Sequence, residues 1–455
     1  MLRLLRRLPH PIGNARLKLR IGLLLVLAAA GLTACNTKYT IGGTVTGLSG
    51  TGLVLADNSG DLLSVTGNGT FAFSTGVENG DVYSVTVETQ PSDPSEICSV
   101  HNGSGTIDKS AVGNIIVTCV GQGQFAYVTD QSSDAITVFA IDASTGYLSE
   151  VSGSPFAATG TTPAAIAVDP NGQYAYVVNN VSDTLSVFAI EAGTGALTPV
   201  GNPIATHNAP VAVVVDASDS YVYVANQASA DVSAYAITSG GVLTEVAGSP
   251  FAVGAGPSAL ATDPGSNFLY VANYTDSTIS VLSIDLATGA LSGIAGSPFT
   301  TGHGPTSIAV DPTGTYAYVG NEGAATISAF AISASSGALT PVSGSPFATG
   351  SAVEAVAVDP AGAHVYAANA TAANEVATFS IYPSTGALTS TGANVAAGAL
   401  PTWVTVDPKG AYVYVANDES NSVSVYSVNA GTGLLTAVAG SPFAAGGEPR
   451  CLAIH

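Results

Sequence analysis

The sequence predicts an all-β protein in which a small β-sandwich precedes a seven-bladed β-propeller. The composition is the first sign: 9% of residues are charged, 46% are hydrophobic, and there are 52 glycines. That is the profile of many short strands joined by tight turns, with few helices. The second sign is a YVxN-like tetrapeptide that recurs seven times, beginning at Tyr127, Tyr176, Tyr223, Tyr270, Tyr318, Tyr366 and Tyr414, at spacings of 47 to 49 residues. A period of that size is one four-stranded propeller blade. The third sign is phase. The first copy opens on its second strand, QFAYVTD, and the missing first strand arrives only at the end, as PRCLAIH from Pro449. The two halves complete one blade and close the ring without a dangling edge.

Taken in order, the chain begins with a basic leader, Arg3, Arg6, Arg7, Arg16, Lys18 and Arg20, followed by an apolar run from Ile21 to Leu32. The run is short for a bilayer span, which favours a cleaved leader over an anchor helix. It ends in LTAC, which resembles the lipobox of bacterial lipoproteins. The resemblance implies a signal peptide over residues 1–34, lipidation of Cys35, and a membrane-anchored, exported protein. Asn36 after the cysteine points to the outer membrane. Without the leader, four basic residues face 31 acidic ones, a formal charge of −27. Such a surface repels phosphate backbones, so nucleic acid is excluded as a partner.

Residues 35–120 form the expected stalk domain. Segments such as YTIGGTVTGL, GTFAF and VYSVTVETQ alternate in the manner of strands, with DNSGD and GNG as turns between them. The pattern resembles the immunoglobulin-like modules that sit between a lipid anchor and a larger exported domain. Cys98 and Cys119, 21 residues apart, are a plausible disulfide for an oxidising compartment. Cys451 is left unpaired.

The propeller is expected over residues 121–455. Each copy runs through a PxxIAVDP-like strand, a YVYVAN-like strand, an ISVFAI-like strand and a TGAL segment, usually followed by GSPF. On the first strand Ile166 and Val168 alternate with Ala165 and Ala167, so that one blade's large face meets the next blade's small face. The recurring Asp and Asn at strand ends read as turn caps, and the Phe of GSPF as packing, because binding groups rarely recur identically in every blade.

Function must then lie where the repeat is broken. At the residue after the Pro, facing one mouth of the channel, the copies carry Ala164, Val211, Ser258, Thr306, Glu354, Thr402 and Arg450. Only Glu354 and Arg450 are ionised. Nearby, His303 interrupts TGHGP, Trp403 replaces a small residue, and Glu448 precedes Pro449. These exceptions fall on consecutive blades and make a lopsided mouth suited to a small polar ligand. Trp403 offers a stacking face and Arg450 a fork for a carboxylate. No His or Cys spacing suits a metal, the acidic turns lack a calcium-loop pattern, and no cofactor is implied.

The YVxN phrase, the xIAVDPxGxYxYVAN core and the TGAL turn resemble the lactonase-type seven-bladed propellers and the related YVTN surface-protein repeats. The resemblance covers residues 123–455 and implies hydrolysis of a cyclic ester, 6-phosphogluconolactone in some members. EPRCLAIH is similar to a GPRHxxFHP-like phrase of those relatives. Arg450 matches the family arginine and His455 the later histidine, while Cys451 stands where the first histidine belongs. Ester hydrolysis needs a base near water and a donor for the oxyanion, roles open to His303 or Glu354 and to Arg450. A Cys451–His455 nucleophile pair does not work, since four residues along a strand span roughly 13 Å. Cys451 is expected as a buried small side chain and His455 as a frayed strand end. The leading expectation is an envelope lipoprotein that binds a small molecule, glycan or protein at the mouth. Lactone hydrolysis is the alternative, and a purely structural surface protein the third reading.

Overall fold

The computed structural model describes residues 37–48, 50–58, 60–91, 96–121, 123–370 and 373–455. The expected leader and lipidation site, residues 1–34 and Cys35, lie outside the described residues. Apart from a single 3-10 turn at Ser239–Gly241, every described element is a strand. Among the described residues no helix is long and apolar enough to cross a membrane.

The N-terminal part is built from two four-stranded sheets and a two-stranded pairing of Lys38–Tyr39 with Val77–Glu78. One contains Ile41–Thr46, Gly69–Ala72, Glu96–His101 and Val112–Gly121; the other contains Leu53–Asp57, Asp61–Val65, Val82–Thr89 and Ser104–Thr106. Alternation decides which face is buried. In Val82–Thr89, Tyr83 and Val85 point inward between exposed neighbours. They join Ile41, Val45, Leu53, Leu55, Ile115 and Val117, from both sheets, in one apolar core. Cys98 and Cys119 lie opposite each other on adjacent strands and are disulfide-bonded, as the sequence suggests.

The remainder is a ring of seven blades. Blades 2 to 7 begin at Pro163, Pro210, Pro257, Pro305, Val353 and Pro401. Blade 1 combines Gln124–Asp130 and the strands after it with Pro449–Ile454, which pairs Val128 with Leu452 and Tyr127 with Ala453. The C-terminal segment therefore supplies the innermost strand of the first blade. His455 is not frayed. It exchanges both backbone hydrogen bonds with Phe125, at 2.9 and 3.1 Å, and its ring packs beside Gly172 on blade 2. Cys451 is buried as expected, its thiol 3.7 Å from the Ile166 carbonyl of blade 2.

Each second strand is enclosed by sheets on both faces, so it reads as a continuous apolar run; in Tyr221–Asn226 every residue is buried. The expected capping roles hold. The Asp that follows the first strand accepts backbone N–H groups across the next turn, as Asp311 does from Thr315 and Tyr316, both at 2.6 Å. In five blades the Asn that closes the second strand donates to a hydroxyl on the third, as Asn179 does to Ser186 at 2.9 Å, while the Asn369 side chain has no partner among the described residues.

The outer strand departs from the expectation of four strands per blade. It is broken into two short pieces, Leu197–Pro199 and Ile204–Ala205 in blade 2, both paired to the third strand. The break leaves a third-strand N–H without a ladder partner. In five blades the serine of GSPF fills the gap, with Ser154, Ser249, Ser297, Ser345 and Ser441 accepting that bond at 2.9–3.1 Å. The following Phe closes the outer edge of the packing, as Phe443 does in its inter-blade cluster.

Candidate functional site

The first strand of each blade starts at one face of the ring, the mouth, and the second strand ends there. In every blade the pairing of these two strands slips by one residue at that end. Pro210 pairs with Asn226 and Ala212 with Ala225, for instance, which leaves Val211 as an extra, bulged residue. The same irregularity recurs in the other six blades. A bulge re-aims a side chain without disturbing the strand behind it. It is why the variable position after the Pro faces the channel.

A second ring lies beside the first. The residue that follows the second strand is Gln131, Asn180, Gln227, Tyr274, Glu322, Ala370 or Asp418. In each case its N–H donates to the carbonyl of the residue just before the first strand of its own blade, at 2.8–3.1 Å. The backbone is fixed identically seven times and the side chains are free to differ. The first ring, with Gln131, Asn180, Gln227, Tyr274 and Glu322 of the second, lines a central pocket of about 610 Å³.

Three of the polar groups in the first ring serve the seams between blades. Ser258 donates to the Pro305 carbonyl and Thr306 to that of Val353, both at 2.7 Å, while Thr402 reaches Pro449 at 3.2 Å. Glu354 and Arg450 remain. Burial, and then the nearby charge of Glu322, push the Glu354 carboxyl up from the usual carboxylate range, against an opposing pull from Arg450. The nearest carboxylate to Arg450 is Asp418, at 3.8 Å, beyond hydrogen-bond distance, and 45% of the arginine side chain is exposed. Its fork is not consumed internally. On the far side of Glu354, the Tyr274 hydroxyl donates to Glu322 at 2.9 Å. That bond, with partial burial, raises the phenol above its ordinary value.

Residues 122–256, 244–354 and 288–454 match the family described as Lactonase, 7-bladed beta-propeller. The chain belongs to this family. Solved structures similar to this lactonase-family propeller include a candidate 6-phosphogluconolactonase from Bacteroides fragilis NCTC 9343. It is 20% identical, with a TM-score of 0.66 over 73% of this chain and 98% of that one. The periplasmic gluconolactonase of Pseudomonas aeruginosa is 17% identical, with a TM-score of 0.64 over 73% of this chain and 99% of that one. At these identities the likeness is one of fold. No curated protein matches the sequence.

Of the residues singled out from the sequence of this lactonase-family chain, Arg450, Glu354 and Trp403 line the same pocket. Trp403 is half-buried and packs against the apolar clusters between blades 7 and 1 and between blades 1 and 2, so it forms wall more than open stacking face. Its indole N–H has no partner among the described residues. His303 stands exposed against Gly323 and is not part of the lining. Glu448 is also exposed; its carbonyl accepts from Gln131, and its charge is felt at Asp418. Among the described residues no group of three or more His, Cys, Asp or Glu is arranged to hold a metal ion. The ring from Gln131 to Asp418 was the part missed. Its signal was present: the seven copies carry six different residue types directly after an almost invariant Asn.

Proposed function

We propose that the mouth binds and hydrolyses a small unphosphorylated lactone. The observation that carries this reading is the pairing of an uncommitted Arg450 fork with Glu354, whose carboxyl is pushed up, in one pocket. In the reaction the Glu354 carboxylate takes a proton from water as the water oxygen attacks the lactone carbonyl carbon. The oxygen that gains the negative charge is held by the Arg450 guanidinium. The carbon–ring-oxygen bond then breaks, and the ring oxygen leaves as a hydroxyl with the proton returned from Glu354. A base raised toward neutrality suits both proton transfers. The family supports the lactone class. Arg450 is the one arginine after residue 34, which leaves no second guanidinium for a phosphate.

The test is acid release from glucono-1,5-lactone and 6-phosphogluconolactone by the purified protein. Turnover of the unphosphorylated substrate is expected to fall about 10²–10³-fold in kcat/KM in both Arg450→Ala and Glu354→Gln. Because the base acts ionised, activity should rise with pH through an ionisation above the ordinary carboxylate range, and that limb should vanish in Glu354→Gln. Binding of the aldonate without turnover would leave a binding protein in place of a hydrolase. Neither binding nor turnover would end the proposal.

The leader and the LTAC motif support export and lipid anchoring through Cys35, with the outer membrane as the destination. Palmitate labelling and membrane fractionation check this. Cys35→Ala is expected to lose the label and enter the soluble fraction, and an unlabelled, soluble parent protein would refute the anchor.

A further inference from the structure

We propose that Glu322, held by Tyr274, is a subsite for a ligand's ammonium group, and that the preferred ligand is an amino-sugar lactone or the amino-aldonate it yields. The inference rests on the reading of the mouth as a lactone site and specifies its substrate class.

The mouth is electrically divided. Glu322 on blade 5 and Glu354 on blade 6 line the pocket together with one cation, Arg450 on blade 1, which has Asp418 of blade 7 beside it. A phosphorylated ligand brings about two negative charges to this arc, and Arg450 offers a single fork. A neutral sugar lactone satisfies Arg450 and draws nothing from Glu322.

Glu322 is nevertheless a prepared group. One of its oxygens accepts the Tyr274 hydroxyl at 2.9 Å, which fixes the carboxylate where it lines the pocket. Among the described residues no cation forms an ion pair with it. A carboxylate that is oriented by a neighbour and left without a counter-charge is complementary to an ammonium ion. The groups that face Glu354 agree. Glu322 raises its carboxyl, Arg450 lowers it, and Tyr274 responds to both glutamates. A ligand cation between the two carboxylates removes that repulsion. The opposite arc presents the amides Gln131, Asn180 and Gln227, which suit hydroxyl groups. Ammonium, hydroxyl and carbonyl functions on one six-carbon ligand thus meet three different arcs of a single pocket.

Calorimetric titration of the full-length protein with 2-amino-2-deoxygluconate, gluconate and 6-phosphogluconate tests the assignment. The amino-aldonate should bind about threefold to fivefold more tightly than gluconate, the range of one solvent-accessible ion pair, and 6-phosphogluconate most weakly. Glu322→Gln should bring the ratio of the first two close to one. Tyr274→Phe, which unpins the carboxylate and keeps its charge, should narrow the ratio. Gluconate binding as tightly as the amino-aldonate, or a preference that survives Glu322→Gln, overturns the ammonium subsite and leaves the lactone reading standing. Tightest binding of 6-phosphogluconate overturns the subsite as well. Failure of all three ligands to bind overturns the subsite, and it overturns the lactone reading as well where no lactone is turned over.

Discussion

Asp130 occupies the position that the other six blades give to asparagine. It is fully buried, accepts the Thr137 hydroxyl at 2.6 Å, and leaves its second oxygen without a partner. Burial is the main reason its pKa is pushed up to about 6. The folded state therefore holds a proton that the unfolded state releases, and stability falls as pH rises from about 4 to about 6. A shift of that size corresponds to about 3 kcal/mol at most. Asp130→Asn carries no charge and can donate to Thr137, as Asn179 does to Ser186. It is expected to stabilise the protein by about 2 kcal/mol at pH 8, with most of the gain gone at pH 4. Urea unfolding at the two pH values measures this; no gain at pH 8 would mean the buried carboxylate is solvated in a way its surroundings do not suggest. The same comparison across copies explains which residues were legible from sequence. Arg450 and Glu354 break a column otherwise filled by small or hydroxyl side chains, so they stood out. Glu322 and Tyr274 follow a strand end, where any polar residue passes for turn chemistry; their variation after a near-constant Asn is a weak sign, and their common backbone hydrogen bond is what marks them as a ring.

Strands and turns were legible in proportion to how often and how regularly they recur. The first three strands of each blade are six or seven residues long, and their apolar pattern repeats seven times. The outer strand is two pieces of three and two residues, too short to carry a pattern, so its split could not be read. The glycine of TGAL has a role that only the folded blade reveals. Gly289, at φ +73°, lies flat under the Tyr221 ring of the preceding blade, and a Cβ there would overlap the ring. The Tyr223 hydroxyl donates to the same residue's carbonyl at 3.2 Å. Phe125, Tyr174, Phe268, Tyr316, His364 and Tyr412 press on the equivalent glycines of Gly195, Gly241, Gly337, Gly386, Gly433 and Gly146. The TGAL turn is therefore an inter-blade joint, and its constancy follows from the aromatic residue it must accommodate on a different blade. Variation is confined to the opposite end of the strands, where bulges decouple side chains from the joint.

At the scale of the molecule, the ring's integrity and the site's chemistry meet in one short strand. Pro449–Ile454 pairs with Gln124–Asp130 on one side and packs against the inner strands of blades 2 and 7 near the axis. Arg450 rides on its mouth end, and His455 anchors the other end to Phe125. The chain enters the propeller at Gln124, which pairs with Ile141 at the face opposite the mouth. Closure by a strand this distant in sequence makes the blades interdependent, since an open ring exposes two sheet faces and an unpaired edge at once. Removing residues 449–455 should therefore abolish the cooperative unfolding of the whole propeller, while the sandwich, with its own core and the Cys98–Cys119 bond, keeps its transition. Arg450→Ala should leave both transitions within a few degrees of the parent, because its fork holds nothing tightly. Differential scanning calorimetry of the two variants separates these outcomes. A truncated protein that retained the propeller transition would show that six blades and a fragment suffice, and that the last strand serves mainly to carry Arg450 to the mouth.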